Sequence, residues 1–299
     1  MDQKACCADS VLMVRPSCFD FNPETAATNQ FQKKLKKPES FLLRQAQEEF
    51  DLLKKSLIQG NIFVVGFQQP NSCQSPDALF PNNWISFHPD RVVLYPLQAG
   101  NRRTERHHHW AALLASDRPI IDLSGWEAEG LSLEGTGSLV LDRQHCIAYA
   151  ALSPRTDARL VQLWCQQLNY QPVIFETDIH GIGPVYHTNV LMSLGHRLAV
   201  LCTEAVAAPH RQYLIDCLSQ THEIIEITLQ QMQQFCANIL LLRNRYDLHF
   251  WVMSDQAHKA FTPAQRQRLE SDGNLLAVPI PTIEQVGGGS VRCMLAEVF

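Results

Sequence analysis

An internal repeat restricts the fold of this 299-residue chain more than any other feature. Five short apolar segments begin at a small or amide residue, at positions 83, 137, 189, 238 and 290, so that successive starts lie 54, 52, 49 and 52 residues apart. A nearly fixed period of this length is typical of folds built from one repeated supersecondary unit. The segments themselves, such as NWISFH from Asn83, have the length and apolar content of strands. The chain is therefore predicted to contain five copies of one unit.

Each repeat continues with the same order of elements. Four of the first segments are followed, after a short polar turn, by a second apolar run at 91–97, 146–152, 197–203 or 248–254, which predicts β-hairpins. Most hairpins are followed by a helical pattern, as in 156–168, 209–219 and 263–271, and then by another apolar run such as PVIFE. The predicted unit is strand–strand–helix–strand.

The fifth unit is divided between the two ends of the chain. The C-terminal GGGSVRCMLAEVF predicts one strand, and the N-terminal part supplies a strand at 11–16, a helix from Glu39 to Gln59 and a strand at 61–67. A unit shared by both ends closes a ring and leaves no open sheet edge at the seam. The predicted fold is α/β: a five-bladed α/β propeller of pseudo-fivefold ββαβ repeats around a central channel, formed by a single domain over residues 1–299. The alternative is an ordinary α/β protein in which these spacings coincide by chance.

Composition and charge argue against several classes of function. The net charge is -5 and the pI about 6.2, so there is no general excess of basic residues to neutralise the phosphates of a nucleic acid. The N-terminal MDQKACCADS lacks the pattern of a signal peptide, and no apolar run approaches the ~18 residues of a membrane span. The ten cysteines include no CxxC pair, so we expect reduced thiols, no zinc site and a cytoplasmic protein.

Three segments carry a family resemblance, and they occur at positions 133–142 (LEGTGSLVLD), 186–195 (YHTNVLMSLG) and 287–297 (GGGSVRCMLAE). They resemble, in this order, the Glu-Gly-Gly, histidine and glycine-rich cysteine segments of the pentein superfamily of guanidine-modifying enzymes. This superfamily includes arginine deiminases, dimethylarginine hydrolases, amidinotransferases and succinylarginine dihydrolases. The start, MVRPSCFDFNPET (13–25), resembles a subgroup of arginine-deiminase-related or citrulline-utilisation hydrolases. The resemblance covers nearly the whole chain and implies the five-bladed pentein fold.

Cys293 is the candidate nucleophile. It follows three glycines, which lack a Cβ and so let the backbone pass close to a ligand. A thiolate is the reactive form of cysteine, so we expect the site to favour deprotonation. The resemblance implies that His187 is the general acid and base, which protonates the leaving nitrogen and later activates water. Glu134 is the candidate carboxylate that accepts hydrogen bonds from the substrate or orients His187.

Four further residues are candidate ligands of the substrate. Arg155 matches a family arginine that binds the substrate's α-carboxylate, a role that suits a planar guanidinium, and Arg15 is a second candidate for it. The deiminases hold a cationic guanidinium with two aspartates, and the matching positions here are Asn83 and Asn189. An amide carries no charge, and burying a guanidinium without carboxylate partners is costly. The two asparagines therefore favour a neutral ureido group, as in citrulline.

The predicted function is a cysteine-dependent hydrolase that acts on the C–N bonds of a ureido or guanidino amino acid, citrulline-like or arginine-like, through a covalent thiol intermediate. Its partner is a small, amino-acid-like substrate, and the chemistry needs no metal and no organic cofactor. The run His107–His109 is interpreted as an exposed loop or helix start rather than a metal site, because consecutive side chains point in different directions. An amidinotransferase and a non-catalytic binding protein of the same fold stay open as alternatives, and so does a homo-oligomer.

Overall fold

The computed structural model describes residues 7–179 and 183–299, and in these ranges the chain forms five three-stranded sheets. The strands are β1 (Ser10–Arg15), β2 (Phe63–Gln68), β3 (Ile85–His88), β4 (Arg91–Leu94), β5 (Ile120–Asp122), β6 (Val140–Asp142), β7 (Ile147–Ala151), β8 (Gln171–Phe175), β9 (Met192–Leu194), β10 (Leu198–Leu201), β11 (Glu223–Glu226), β12 (Leu240–Arg243), β13 (His249–Ser254), β14 (Asn274–Val278) and β15 (Ala296–Val298). The α-helices are α1 (Pro23–Ala26), α2 (Glu39–Gln59), α3 (His108–Ala115), α4 (Gly135–Ser138), α5 (Ala158–Leu168), α6 (Thr188–Leu191), α7 (Ala208–Ser219), α8 (Leu229–Gln233), α9 (Asp255–Ala260) and α10 (Pro263–Glu270).

The five sheets share one topology. In the sheet β3–β4–β5 the first two strands are antiparallel, with Ile85 opposite Leu94, and the third is parallel to the second, with Val92 opposite Ile120. The sheets β6–β7–β8, β9–β10–β11 and β12–β13–β14 repeat this arrangement, and in each a helix connects the two parallel strands. The predicted α/β class and the repeated ββαβ unit are therefore confirmed.

The remaining sheet joins the two ends of the chain. β15 pairs antiparallel with β1, so that Ser10 lies opposite Val298, and β1 pairs in parallel with β2 after the long helix α2. This is the pairing that the divided repeat predicts. Contacts also connect neighbouring sheets, between β15 and β3, between β6 and β9, and between β9 and β12.

The helix α2 packs on the first sheet through the apolar face that its amphipathic pattern predicts. Leu42, Ala46, Phe50, Leu53 and Leu57 recur every three or four residues and are buried against the first sheet. Full burial of each large apolar side chain stabilises the fold by roughly 1.5–3 kcal/mol. The helix spans Glu39–Gln59, the bounds that its sequence pattern predicts.

The starts of the repeats differ from the prediction. The sequence pattern predicts that they begin strands, but four of them form a single helical turn, at Pro81–Asn83, in α4, in α6 and at Val291–Met294. The reason is local hydrogen bonding: the amide of Leu139 bonds to the carbonyl of Gly135 at 3.0 Å, and that of Cys293 bonds to Ser290 at 3.0 Å. Cys293 therefore lies on a helical turn just before its strand, and the prediction of a strand was wrong.

Three observations concern the histidine run, metal binding and membrane spanning. The helix α3 begins at His108, so the interpretation of the histidine run as a helix start is confirmed. In residues 7–179 and 183–299 no group of three His, Cys, Asp or Glu side chains is arranged to hold a metal ion. Within the same ranges, none of the helices is long and apolar enough to cross a membrane.

Candidate active site

Six of the seven residues predicted for the site are buried close to one another. They are Cys293, His187, Glu134, Asn83, Asn189 and Arg155. The helical turns explain this convergence, because each turn places one or two of these side chains at the beginning of its sheet. One cavity is lined by Cys293, His187, Asn83 and Arg155. Two further residues lie next to this lining, since Glu134 hydrogen-bonds to His187 and Asn189 to Cys293.

His187 and Glu134 form a buried hydrogen-bonded pair. Nε2 of His187 lies 2.8 Å from Oε2 of Glu134, and a guanidinium nitrogen of Arg102 and one of Arg155 each lie 3.6 Å from the same oxygen. Burial would raise the pKa of Glu134, but the charge of Arg155, the hydrogen bond to His187 and the charge of Arg102 outweigh it and hold that pKa below its ordinary value. Burial lowers the pKa of His187 to about 4, although Glu134 acts in the opposite direction. At neutral pH the pair is therefore a carboxylate and a neutral imidazole, whose Nε2–H donates to Glu134 and whose Nδ1 can exchange a proton.

Side-chain amides surround the Cys293 thiol. Its Sγ lies 3.3 Å from Nδ2 and 3.5 Å from Oδ1 of Asn238, and 3.9 Å from Nδ2 of Asn189. Burial raises the pKa of Cys293, and the hydrogen bonds and nearby arginines offset this only in part. The burial of Cys293 therefore contradicts the expectation that the site favours a thiolate.

The two asparagines that stand at the aspartate positions of deiminases are both held in place. Oδ1 of Asn83 accepts a hydrogen bond of 2.9 Å from Nη1 of Arg102. Nδ2 of Asn189 donates to the carbonyl of Thr136 at 3.1 Å, and its Oδ1 accepts from Asn238 at 3.2 Å. Each amide is thus a fixed, uncharged group of the candidate site.

Arg155 is engaged by a segment that we call the strap, defined as residues 22–33. Its Nη2 donates to the carbonyl of Thr25 at 2.9 Å, and its Nε donates to Oγ1 of Thr28 at 2.9 Å. Its guanidinium also lies over the ring of Tyr186, 4.9 Å from the ring centroid. The predicted carboxylate ligand is therefore in the site, but in this structure its donors are occupied by the strap.

The strap also closes the cavity from the side of the glycine-rich segment. Nδ2 of Asn29 donates to the carbonyl of Gly288 at 3.1 Å, and Nε2 of Gln32 donates to that of Gly287 at 3.1 Å. Gly288 has a φ of +65°, and a Cβ there would lie 2.5 Å from Cγ of Gln32, so only glycine fits this close approach. The space inside is about 10 Å³, which is room for about one water molecule. This space is too small to hold an amino acid.

Arg15 does not join the site. Its Nε and Nη2 donate to Oδ1 and Oδ2 of Asp51 on α2, both at 2.9 Å, in an ion pair that is partly exposed to solvent. Because β1 directs this side chain towards α2, Arg15 cannot also reach a ligand beside Cys293. We therefore remove it from the candidate site.

Sequence reasoning missed four residues of the site. Arg102 is buried and donates to both oxygens of Glu105, at 2.8 and 2.9 Å, as well as to Asn83. The hydroxyl of Tyr186 donates to the carbonyl of Gly288 at 2.6 Å. In the sequence, Arg102 lies in a run of charged residues that is typical of an exposed surface. Asn238 begins a repeat and could have been found from that position in the repeat.

Asp77 is the fourth missed residue, and it changes the charge balance of the cavity. One of its oxygens accepts hydrogen bonds from Nδ2 of Asn22 at 2.7 Å and from Oγ1 of Thr25 at 3.1 Å. The other oxygen, Oδ1, is buried and has no hydrogen-bond partner among the described residues. Since Asp77 lines the same cavity as Cys293, the cavity holds a carboxylate oxygen that a bound ligand could use.

Gly137 fixes the position of His187, which leads to a first prediction. A Cβ at residue 137 would lie 2.5 Å from Nδ2 of Asn83 and 2.8 Å from Nδ1 of His187, so Gly137→Ala should displace both side chains. We expect kcat/KM to fall about 100-fold, because a displacement of ~1 Å in a catalytic group has an effect of this size. Steady-state assays would test this, with Gly125→Ala as the control, since a Cβ at residue 125 meets nothing within 4 Å. Equal activity of the two variants would contradict the inferred role of this contact.

Comparison with known proteins gives a family match over most of the chain. The sequence profile of the family described as N,N dimethylarginine dimethylhydrolase, eukaryotic, matches residues 15–299. None of the curated proteins matches the chain significantly.

Solved structures share the fold at low sequence identity. The N-terminal domain of ArgZ bound to its substrate, an arginine dihydrolase from the ornithine–ammonia cycle in cyanobacteria, is 17% identical, with a TM-score of 0.77 and 97% of both chains covered. Unliganded AgrE is 18% identical with a TM-score of 0.75, and the match covers 97% of this chain but 39% of AgrE. A dimethylarginine dimethylaminohydrolase adduct with S-methyl-L-thiocitrulline is 14% identical, with a TM-score of 0.67 and coverages of 97% and 99%.

Proposed function

The chain belongs to the N,N-dimethylarginine dimethylhydrolase family, within the pentein superfamily of arginine-modifying hydrolases that act on C–N bonds, and from this premise we propose that Cys293 is its nucleophile. The substrate would be an α-amino acid whose side chain ends in a ureido or guanidino group. One observation carries the proposal: a buried thiol lines the same cavity as His187, whose neutral imidazole is held by an ionised Glu134. Since the family consists of hydrolases, the amidinotransferase and the non-catalytic alternatives are set aside.

We infer that the five sheets form a closed ring and one domain around this cavity. Support comes from the shared topology, from the pairing of β15 with β1 and from the contacts between neighbouring sheets. The cavity would then be the central channel, onto which the helical turns at the starts of the repeats converge.

The mechanism follows from the positions of the proton carriers. Sγ of Cys293 would attack the central carbon of the substrate, and the thiol proton would pass to Nδ1 of His187. The imidazolium, stabilised by Glu134, would then protonate the departing nitrogen, leaving the carbon group bonded to sulfur. In the second half, neutral His187 would take a proton from water, and the resulting hydroxide would attack the same carbon and release the thiol.

The cavity is suited to the head group of an amino acid. Asp77 and Arg155 lie on either side of Thr25, since the Thr25 hydroxyl donates to Asp77 and its carbonyl accepts from Arg155. A substrate carboxylate could take over the donors of Arg155, and an α-ammonium could bind the free oxygen of Asp77. When the site opens, the substrate would replace the strap as the hydrogen-bond partner of Arg155.

The reacting end of the cavity favours a ureido group. The described side chains that hydrogen-bond to the thiol are the amides of Asn238 and Asn189, and Asn83 lines the same cavity. Two carboxylates are near: the charge of Glu134 is already balanced by Arg102, Arg155 and the hydrogen bond to His187, and the free oxygen of Asp77 would bind the α-ammonium. The positive charge of a guanidinium at this end would be only weakly balanced by carboxylates. A neutral ureido group has an oxygen and nitrogens that match the donors and acceptors of the asparagine amides.

A guanidino substrate is the second candidate, and three observations favour it. The pKa of Cys293 is raised by burial, and a cation bound beside the sulfur would lower it again and so generate the thiolate. The structural relatives include ArgZ, an arginine dihydrolase, and AgrE in complex with L-arginine. The name of the family also points to a methylated guanidine.

Turnover of citrulline, arginine and N,N-dimethylarginine should separate the two candidates. We expect kcat/KM for citrulline to exceed that for arginine at least about tenfold, which corresponds to ~1.4 kcal/mol of uncompensated charge. Consumption of each substrate and release of ornithine, citrulline, ammonia and, from N,N-dimethylarginine, dimethylamine would be measured, with Cys293→Ala protein as the control for contaminating activity. Faster turnover of arginine or dimethylarginine than of citrulline would replace the ureido proposal by the guanidino one.

A further inference from the structure

A second, larger groove borders the strap away from the catalytic cavity. It consists of two cavities of about 360 and 450 Å³, which share Gln234, Gln256 and Glu284 and which we together call the glutamine groove. Gln30 and Lys33 of the strap line the glutamine groove, whereas Asn29 lines the catalytic cavity. The size of the groove is within the usual range for sites that bind small molecules.

Glu284 supplies a buried acidic group to this groove. Its side chain is 98% buried, Oε1 accepts a hydrogen bond of 2.7 Å from Ser290, and it pairs with no arginine or lysine of the described residues. Burial raises the pKa of Glu284 to about 7. Because a buried carboxylate without a counter-charge is costly, a cation that entered the groove would be stabilised there.

The rest of the wall is mostly polar, and Asp255 and Lys259 line it as an ion pair with each other. Five glutamines line the groove, and within the described part of the chain their side-chain amides make no hydrogen bonds: Gln30, Gln233, Gln234, Gln256 and Gln285. Lys33 is exposed at the rim and forms no ion pair with another described residue, while its backbone amide bonds to the carbonyl of Gln285 at 2.7 Å. Phe31, Met232 and Phe235 form an apolar part of the wall.

We propose that the glutamine groove is a second binding site, for a basic amino acid. The cationic end of the ligand would pair with Glu284, its carboxylate would meet Lys33, and its methylene groups would pack on Phe31 and Phe235. The free amides would complete the hydrogen bonding of the two ends. This proposal does not depend on the function of the catalytic cavity.

A ligand in this groove would touch two elements that also border the catalytic cavity. One is the strap, through Lys33. The other is the segment from Glu284 to Cys293, because Ser290 donates its hydroxyl to Glu284 and accepts the amide of Cys293 with its carbonyl. The glutamine groove therefore adjoins the catalytic cavity, although the charged residues that line it are different from those that line that cavity.

Binding of L-lysine to the full chain would test the proposal by isothermal titration calorimetry. L-Lysine has the cationic side chain but no ureido or guanidino carbon, so it cannot be turned over. We expect Glu284→Gln and Lys33→Met each to weaken its Kd at least about tenfold. Asn83→Ala changes a side chain that lines the catalytic cavity and bonds to Arg102 and Asn82 rather than to the strap, so it should leave Kd within about threefold. L-Norleucine should not bind, because it lacks the charge on the side chain.

Three results would overturn the proposal: no binding of L-lysine to the unmodified protein, an unchanged Kd in both groove variants, or loss of binding in Asn83→Ala with retention in Glu284→Gln. The last result would show that L-lysine binds only in the catalytic cavity. Thermal unfolding of each variant would accompany the titrations. Lys33 is exposed, so Lys33→Met decides the question even if Glu284→Gln does not fold.

Discussion

Turnover should disappear when Cys293 is replaced by Ala, while the fold persists. We expect kcat to fall by at least about 10⁴-fold, because without a nucleophile only binding and electrostatic stabilisation would remain. The substitution removes one sulfur atom from a cavity lined by amides, so the free energy of unfolding should change by only about 1 kcal/mol. Assays of ornithine and ammonia release, together with thermal unfolding, would measure both effects.

Cys236→Ala is the matched control for this prediction. Cys236 is also a fully buried free thiol whose pKa is raised by burial, but its Sγ bonds to the carbonyl of Ala257 and not to a site residue. It should lose similar stability and keep full activity. Retention of more than a few per cent of activity in Cys293→Ala, or an equal loss in both variants, would refute the nucleophilic role.

Glu134→Gln should be the next most damaging substitution, and it should affect both activity and stability. The glutamine keeps the shape of the side chain but removes its negative charge. In the unmodified protein this charge balances Arg102 and Arg155, and the carboxylate accepts the hydrogen bond from Nε2 of His187. Arg102 keeps its ion pair with Glu105, but Arg155 has no other carboxylate within 4 Å among the described residues. Removing one partner of a buried ion pair costs about 3–5 kcal/mol of folding free energy. Loss of the oriented acid and base should lower kcat roughly 10²–10⁴-fold.

A pH profile distinguishes this role from a purely structural one. The carboxylate of Glu134 raises the pKa of His187, so its removal should shift the acid limb of kcat/KM to lower pH. Glu127→Gln is the control, because Glu127 pairs with Arg103 and Arg106 away from the cavity. It should lose stability without a change in kcat or in the acid limb. An unchanged pH profile in Glu134→Gln would rule out the proposed coupling to His187.

Much of the fold could be predicted from the sequence because it rests on local periodicity. The bounds of α2 match its amphipathic pattern, and the pairing of β15 with β1 follows from the divided repeat. The helical turns at the repeat starts could not be predicted in this way, since a run of four apolar residues fits a strand as well as a buried turn. Only the backbone hydrogen bonds of the folded chain, such as Cys293 to Ser290, distinguish them.

For the site, the sequence by itself determined the candidate residues, and the tertiary structure decided their surroundings. Cys293, His187 and Glu134 are recognisable from their motifs and their phase in the repeat, because the proposed chemistry requires a thiol, an imidazole and a carboxylate. Four features depend on groups that lie far apart in the chain: the raised pKa of the Cys293 thiol, the unpaired oxygen of Asp77, the hydrogen bonds of Arg155 to the strap and the ion pair of Arg15 with Asp51. Burial and charge act through space rather than along the chain, so only the folded structure could reveal them.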